Sequence, residues 1–363
     1  MVASVGTYSG PAASSIFPMT QGAQVWVTHI NKKGGLNGHQ VKYVIFDDGA
    51  DPARHRAQVQ EAIERHGAIA FLVNGDAIAG QSSVEYITRK RVPVVGLDTG
   101  EQWAYQSPMY FPQATSGHPQ IYSIIAGAAQ QAIPSGKVKL GTLVCAEAQL
   151  CRDGDRIFGQ SAKALGFDHV YRGTASIAQP DFTAECLSAA RAGVEALIVV
   201  LDQNSSARIG ASCARQNFRP AYFIPGPVVA DRMKDDPNLE GIGAASQVFP
   251  YFQTGTPATD EFSAAMRESG KSVAPGVGPA VGWVGGKLLE RAAANLPDPP
   301  TSEAILTGLW SIHNDTLGGL THPLTFVRDQ TAPQIACWFN IVTSNGRWTS
   351  PDGYELRCAE YKS

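Results

Sequence analysis

The stretch VWVTHINKKGGLNGHQVKYVIFDDGADP, residues 25–52, decides the fold. It predicts an amphipathic helix over Val25 to Lys33, a strand over Val41 to Phe46 and a second helix opening at Pro52. Ala23, Val27 and Ile30 share one helical face. Gly34 and Gly35 stop the helix because glycine tolerates left-handed backbone angles, and Asn37-Gly38 is a strong tight-turn pair. Asp51 is placed to cap the next helix, with Pro52 in the first helical position, where its missing N–H costs little. Helix, strand, loop and helix in that order are a unit of a parallel α/β sheet. Ligands of such sheets bind at the carboxyl ends of the strands.

The alternation continues along the chain. Apolar runs at 68–73, 92–97, 140–145, 169–171, 196–201 and 221–224 predict buried parallel strands. Helical segments are expected over 52–66, 79–90, 119–132, 155–165, 182–192 and 204–216, with Asp181 capping one of them. In the tail, Gln334 to Val342 and Tyr354 to Cys358 predict antiparallel strands around the turn Ser344-Asn345-Gly346. The expected fold class is α/β, with two doubly wound parallel-sheet lobes. A chain of 363 residues also exceeds what one core usually serves. Breaks in the pattern fall at 111–117, 246–253 and 318–329.

Composition narrows the function. The 29 basic and 32 acidic residues are dispersed, which argues against nucleic acid as a partner. The longest apolar run is far too short to span a bilayer. Metal-ligand and catalytic signatures are missing: there is no H-E-x-x-H, G-x-S-x-G or P-loop, and Asp47, Asp48 and Asp51 read as a strand end and a helix cap. His29, His39, His55 and His66 are expected on solvated helix faces or turns. No enzyme activity, metal or cofactor is expected. Six cysteines form neighbouring pairs, Cys145 with Cys151, Cys186 with Cys213 and Cys337 with Cys358; six free buried thiols are the alternative. Disulfides would imply an oxidising compartment. With strand one starting at Val2, the expectation is a mature extracytoplasmic domain whose export signal has been removed.

Taken with Ser9-Gly10-Pro11 upstream, residues 25–52 resemble the leucine/isoleucine/valine-binding branch of the type I periplasmic solute-binding proteins. Asp181-Phe182-Thr183 matches a framework motif of the same family. The resemblance implies two lobes joined by a three-crossing hinge: 1–115 plus 248–320, and 116–247 plus 321–363 with the C-terminal hairpin. Rotation would be confined near Gln113, Phe249 and Leu324. It also implies a receptor, free or lipid-anchored and monomeric, that clamps a small carboxylate-bearing solute, amino-acid-like or aromatic, and hands it to an ABC-type membrane permease. A sensing module for a membrane sensor, or a cytosolic doubly wound enzyme, are the other readings.

Loops at strand ends supply the site candidates. Gly75, Asp76, Ala77 and Thr99 are expected to hold the ligand's carboxylate, and Tyr251 belongs to the aromatic residues expected between the lobes. In the resemblance, an aromatic wall falls on Ser15, a tyrosine on Gln203, and the acid that meets an α-ammonium falls on Pro227. Asp76, Asp98 or Asp202 could replace that acid from another side; otherwise the ligand lacks an ammonium altogether, as an aromatic acid or a polyol does. Branched-chain amino acids are therefore expected to bind weakly.

Overall fold

The computed structural model describes residues 1–76, 78–97, 100 and 102–361, with Ala104, Gln149, Asp155 and Lys271 described as backbone alone. The chain begins with β1 (Val2–Gly6), α1 (Ala13–Lys32), β2 (Tyr43–Asp47), α2 (Pro52–Glu64), β3 (Ala70–Asn74), α3 (Val84–Lys90), β4 (Val94–Leu97) and β5 (Tyr110–Phe111). These five strands form one parallel sheet in the order β2-β1-β3-β4-β5. Next come α4 (His118–Ala132), β6 (Lys139–Cys145), α5 (Gln149–Ala164), β7 (Asp168–Ala175), α6 (Thr183–Arg191), β8 (Ala196–Val200), α7 (Gln203–Arg215), β9 (Ala221–Pro225) and β10 (Gly243–Ser246). Three helices then return to the first sheet: α8 (Pro257–Glu268), α9 (Val277–Ala292) and α10 (Ser302–Trp310). Finally β11 (Ala336–Ser344), β12 (Arg347–Thr349) and β13 (Arg357–Ala359) complete the second sheet, ordered β12-β11-β10-β9-β8-β6-β7 with β13 paired to β11.

Local chemistry explains most boundaries. Asp51 accepts the Ala53 and Arg54 N–H groups at 2.8 and 3.0 Å and so starts α2. Asp181 takes the Thr183 N–H at 2.8 Å, and Asp202 caps α7 through the Asn204 and Ser205 N–H groups. Three expectations need correction. The first helix starts at Ala13, twelve residues before Val25, with Pro18 inside it. The strand after the turn at 344–346 is β12, while β13 pairs with the start of β11 in the register Cys337 to Cys358. His55 is fully buried, not on a solvated face.

All three neighbouring cysteine pairs are bonded, Cys145–Cys151, Cys186–Cys213 and Cys337–Cys358. The second ties α6 to α7, which flank β8, as right-handed crossovers require.

The chain passes between the two sheets three times, after β5, after β10 and after α10, and the three passages are bonded to one another. Thr321 Oγ1 donates to the Gln113 carbonyl at 2.7 Å, the Phe249 N–H donates to the Leu320 carbonyl at 2.9 Å, and the Cys337 N–H donates to Thr115 Oγ1 at 2.9 Å. Gln113 itself bonds both the N–H and the carbonyl of Leu97 at 3.0 Å.

On the first sheet α1 and α9 pack backbone against backbone. A Cβ on Gly282 would land on the Met19 carbonyl oxygen, and one on Gly22 would land on that of Pro279. Alanine in a helix interior ordinarily gains about 1 kcal/mol over glycine, whereas overpacking costs roughly 1–3 kcal/mol. Here the obstacle is backbone, so the cost wins. Gly282→Ala is expected to lower stability in urea denaturation, and an unchanged or raised midpoint would show that the helices can part.

Glu261 of α8 joins the same three-helix junction through His29, Lys33 and Lys287. Burial pushes its carboxyl up, but those three donors outweigh it and bring its pKa down to about 2. A carboxyl depressed on folding adds stability that is complete above its unfolded range and is lost as pH falls through the folded value. Stability measured against pH should show Glu261→Gln costing most at neutral pH, with the gap to the parent closing between about pH 4 and 2.

Candidate ligand-binding cleft

The carboxyl ends of both sheets face a common cavity of about 140 Å³. That is the order of the roughly 150 Å³ apolar cavities that accept a benzene-sized molecule. From the first sheet its wall is the opening of α1 (Ala12, Ser15, Ile16 and Met19), with Ile78 after β3 and Gly100 after β4. From the second come Ile121 and Ile124 of α4, the β6–α5 loop with Cys145 and Cys151, Ile177 after β7, Leu201 and Asp202 after β8, and Pro227 and Val228 after β9. Among the described residues the lining is aliphatic and contains no aromatic ring. Its polar members are Ser15, Gln120, Glu147 and Asp202.

Two hydrogen bonds cross the cleft. Ser14 Oγ donates to Asp202 Oδ1 at 2.9 Å, and the Gln203 N–H donates to Ser15 Oγ at 3.0 Å. The N-terminus of α1 is thus latched to that of α7. Farther along, the segment 229–231 bonds to 275–277 at the start of α9: the Val277 N–H donates to the Val229 carbonyl at 3.1 Å and the Asp231 N–H to the Pro275 carbonyl at 3.0 Å.

Residues 1–347 match the family model described as periplasmic binding protein. The chain belongs to the periplasmic binding protein family. Its members are solute-binding proteins of the extracytoplasmic side, and the α/β lobes described here are the fold of the type I branch. Among solved structures, this binding protein is similar to a fatty acid ABC transporter substrate-binding protein from Thermomonospora curvata, at 16% identity over 99% of this chain and 92% of that one, with a TM-score of 0.81. It is similar to a branched-chain amino acid ABC transporter protein from Thermus thermophilus with bound valine, at 16% identity over 96% and 94%, TM-score 0.82. It is also similar to an R. palustris solute-binding protein in complex with benzoate, at 15% identity over 99% and 97%, TM-score 0.79. No curated protein matches the sequence.

The sequence candidates separate into those at the cavity and those drawn elsewhere. Ser15, Asp202 and Pro227 line it. Gly75 lies behind it: its N–H, expected to meet a ligand carboxylate, donates to the Tyr8 hydroxyl at 3.1 Å, and its missing side chain leaves room for Ile16. Burial holds the Tyr8 hydroxyl well above its ordinary pKa, so it stays a neutral acceptor. Asp76 turns to His55. Gln203 donates its N–H to Ser15 Oγ, and its side-chain oxygen accepts from Arg232. Tyr251 donates to Asp231 at 2.8 Å and stacks edge-on against Phe252, away from the cavity. The expected aromatic rim likewise went into packing, with Phe111 on Phe326 and Phe249 on Phe262 at 5.2 Å. Ala77, Asp98 and Thr99 lie outside the described residues.

Asp202 is the acid that the sequence offered as an ammonium partner. Its oxygens already accept the Asn204 and Ser205 N–H groups and the Ser14 and Ser205 hydroxyls. Glu147 was missed. It follows Cys145 by two residues, and its carboxylate is brought to the cavity by Ser176 and Ile177 beyond β7, a contact across 30 residues that spacing alone does not reveal.

Beneath the loop after β3 sits a buried chain of groups. Asp48 Oδ1 accepts Thr7 Oγ1 and the Ala50 N–H, its Oδ2 meets His55 Nδ1 at 2.8 Å, and His55 Nε2 lies 3.2 Å from Asp76 Oδ2. All three side chains are essentially without solvent exposure. The imidazole therefore ties the end of β2 to the loop beside Gly75. Removing the partner of a buried polar group leaves its desolvation uncompensated, at a cost of roughly 1–3 kcal/mol and more beside a charged group. His55→Ala should lower the unfolding free energy by about that much in denaturant titration, and a loss below about 1 kcal/mol would show that the imidazole does not bridge the carboxylates.

Proposed function

We propose that this protein is the solute receptor of an ABC-type importer, working as a monomer outside the cytoplasmic membrane and delivering its cargo to a membrane permease. On this reading the lobes are 1–115 plus 248–320 and 116–247 plus 321–363, and they rotate about the passages near Gln113, Phe249 and Leu324. The observation that carries the proposal is the cavity itself, walled from both lobes at the strand ends and latched through Ser14–Asp202 and Ser15–Gln203. Its cargo is a small organic solute with an apolar body. Burial of such a body in an aliphatic cavity supplies roughly 25 cal/mol per Å², and this is the term that closes the clamp. Fatty acid, valine and benzoate, named for three proteins of the same fold, are solutes of that kind.

Native mass spectrometry of freshly purified protein, followed by a thermal-shift screen of amino acids, fatty acids, aromatic acids, aliphatic amines and sugars, tests the proposal. A solute at about a thousand times its dissociation constant adds roughly 4 kcal/mol of stability. Small-angle scattering with that solute should show a more compact particle than without it. A screen with no stabilising compound, or identical scattering profiles at saturation, overturns the reading.

A further inference from the structure

One charged group in the cavity is only half used by the fold. Glu147 enters from the β6–α5 loop, inside the ring closed by Cys145 and Cys151. Its Oε1 accepts the Ser176 hydroxyl at 2.7 Å and the Ile177 N–H at 3.1 Å, which fixes the carboxylate in place. Its Oε2 is buried and has no hydrogen-bond partner. Arg152, the nearest cation in sequence, donates to the main-chain carbonyls of Ala146 and Glu147 at 3.4 and 2.9 Å. A buried carboxylate oxygen without a donor is unfavourable, so this atom is positioned for a group that arrives with the solute.

The electrostatics of the wall point the same way. Among the described lining residues the charged ones are Glu147 and Asp202, both acidic. The nearby guanidinium groups of Arg152, on the Glu147 carbonyl, and Arg208, on the Ile177 carbonyl and the Ser205 hydroxyl, are not part of the lining. Asp202 is consumed by the cap of α7 and by Ser14. A free carboxylate placed here would meet like charge at low dielectric, whereas an N–H donor would complete Oε2 and an ammonium would also neutralise it.

We propose, resting on the receptor reading above, that Glu147 is the specificity-determining residue of the cleft and that its Oε2 receives the protonated amine of a solute with a short aliphatic body. Ile121, Ile124, Leu150, Val200 and Val228 cover that body. The acid that the sequence comparison located at Pro227 is thus replaced from another strand end.

Calorimetric titration at pH 7 with hexylamine, hexan-1-ol and hexanoate compares three head groups on one kind of chain. Hexylamine is expected to bind at least about tenfold tighter than hexanoate, with the alcohol between them. Glu147→Gln should weaken hexylamine by about tenfold or more and leave hexan-1-ol within about twofold. Its melting temperature without solute should not fall, because glutamine keeps an acceptor for Ser176 and Ile177 and removes the unpaired charge. Glu147→Asp, which withdraws the charge, should keep the amine ahead of the acid at reduced affinity, and it serves if the glutamine variant folds poorly. Hexanoate binding as tightly as hexylamine, an amine preference that survives Glu147→Gln, or no binding of any of the three overturns the inference. The receptor reading fails separately, through the broad screen.

Discussion

The close approach of α1 and α9 is the constraint on which the remaining architecture depends. Along their contact Gly22 and Gly282 meet the main chain of Pro279 and Met19, so the two backbones touch there, while the Pro18 ring and the Trp26 indole occupy the space over Gly278 and Gly286. Trp26 and Trp283 are buried beside them, and the Trp26 indole N–H reaches Glu290 at 3.2 Å. These helices come from opposite ends of the chain. Their contact recruits the segment that has already visited the second sheet back onto the first. It also sets where the opening of α1 lies, and that opening carries Ile16 and Met19 into the cavity and Ser14 and Ser15 to the latch. One layer of missing side chains therefore fixes both the composition of the first lobe and the position of one wall of the cleft.

Sequence pattern reached as far as local chemistry extends. The parallel strands are short apolar runs between turn residues, and the caps at Asp51, Asp181 and Asp202 act within three residues of themselves, so both were legible. The helices of 257–310 were not assigned at all. In α9 the reason is plain: Val-Gly-Pro-Ala-Val-Gly-Trp-Val-Gly-Gly carries four glycines and a proline, a composition that disfavours helix on propensity alone. Packing overrides it, since Gly278, Gly282 and Gly286 are what α1 requires and Gly285 makes room for Val73. β10 was overlooked because Gly-Ala-Ala-Ser has little strand propensity and is held by β9 and β11 on either side. His55 looked solvated because Arg54 and Arg56 flank it, whereas its burial is imposed by Asp48 and Asp76 from two other strand ends.

The same division runs through the cleft. That ligand-facing loops stand at strand carboxyl ends follows from topology and was readable. Which side chain of each loop turns inward was not. Asp76 and Asp202 look alike as loop acids in sequence, yet one is taken by a buried imidazole and the other by a helix N-terminus and two hydroxyls. Glu147 reads as a loop residue between two cysteines. It becomes the available acid because Ser176 and Ile177 hold one of its oxygens and the fold gives the other no partner. Availability is a residue left over after the framework has taken its partners, and that remainder is known only when long-range contacts are.

The latch and the hinge differ in a way that makes solute the deciding term in closure. The three passages are bound to one another by buried hydrogen bonds around Gln113, Thr115 and Thr321. Polar contacts between the two sides are Ser14–Asp202 and Ser15–Gln203, with the main-chain bonds between 229–231 and 275–277 beside them, each worth about 0.5–1.5 kcal/mol net, since water satisfies such groups when they part. A ligand shifts such an equilibrium only by its difference in affinity for the two states. Moving it from about 1:99 to 99:1 takes roughly 5.5 kcal/mol of such difference. On the proposed hinge, the aliphatic walls provide it only when one solute touches both at once. A solute that fills one side would bind without closing the clamp. Length across the cleft, from the opening of α1 to the β6–α5 loop, is therefore as much a recognition element as any single polar group.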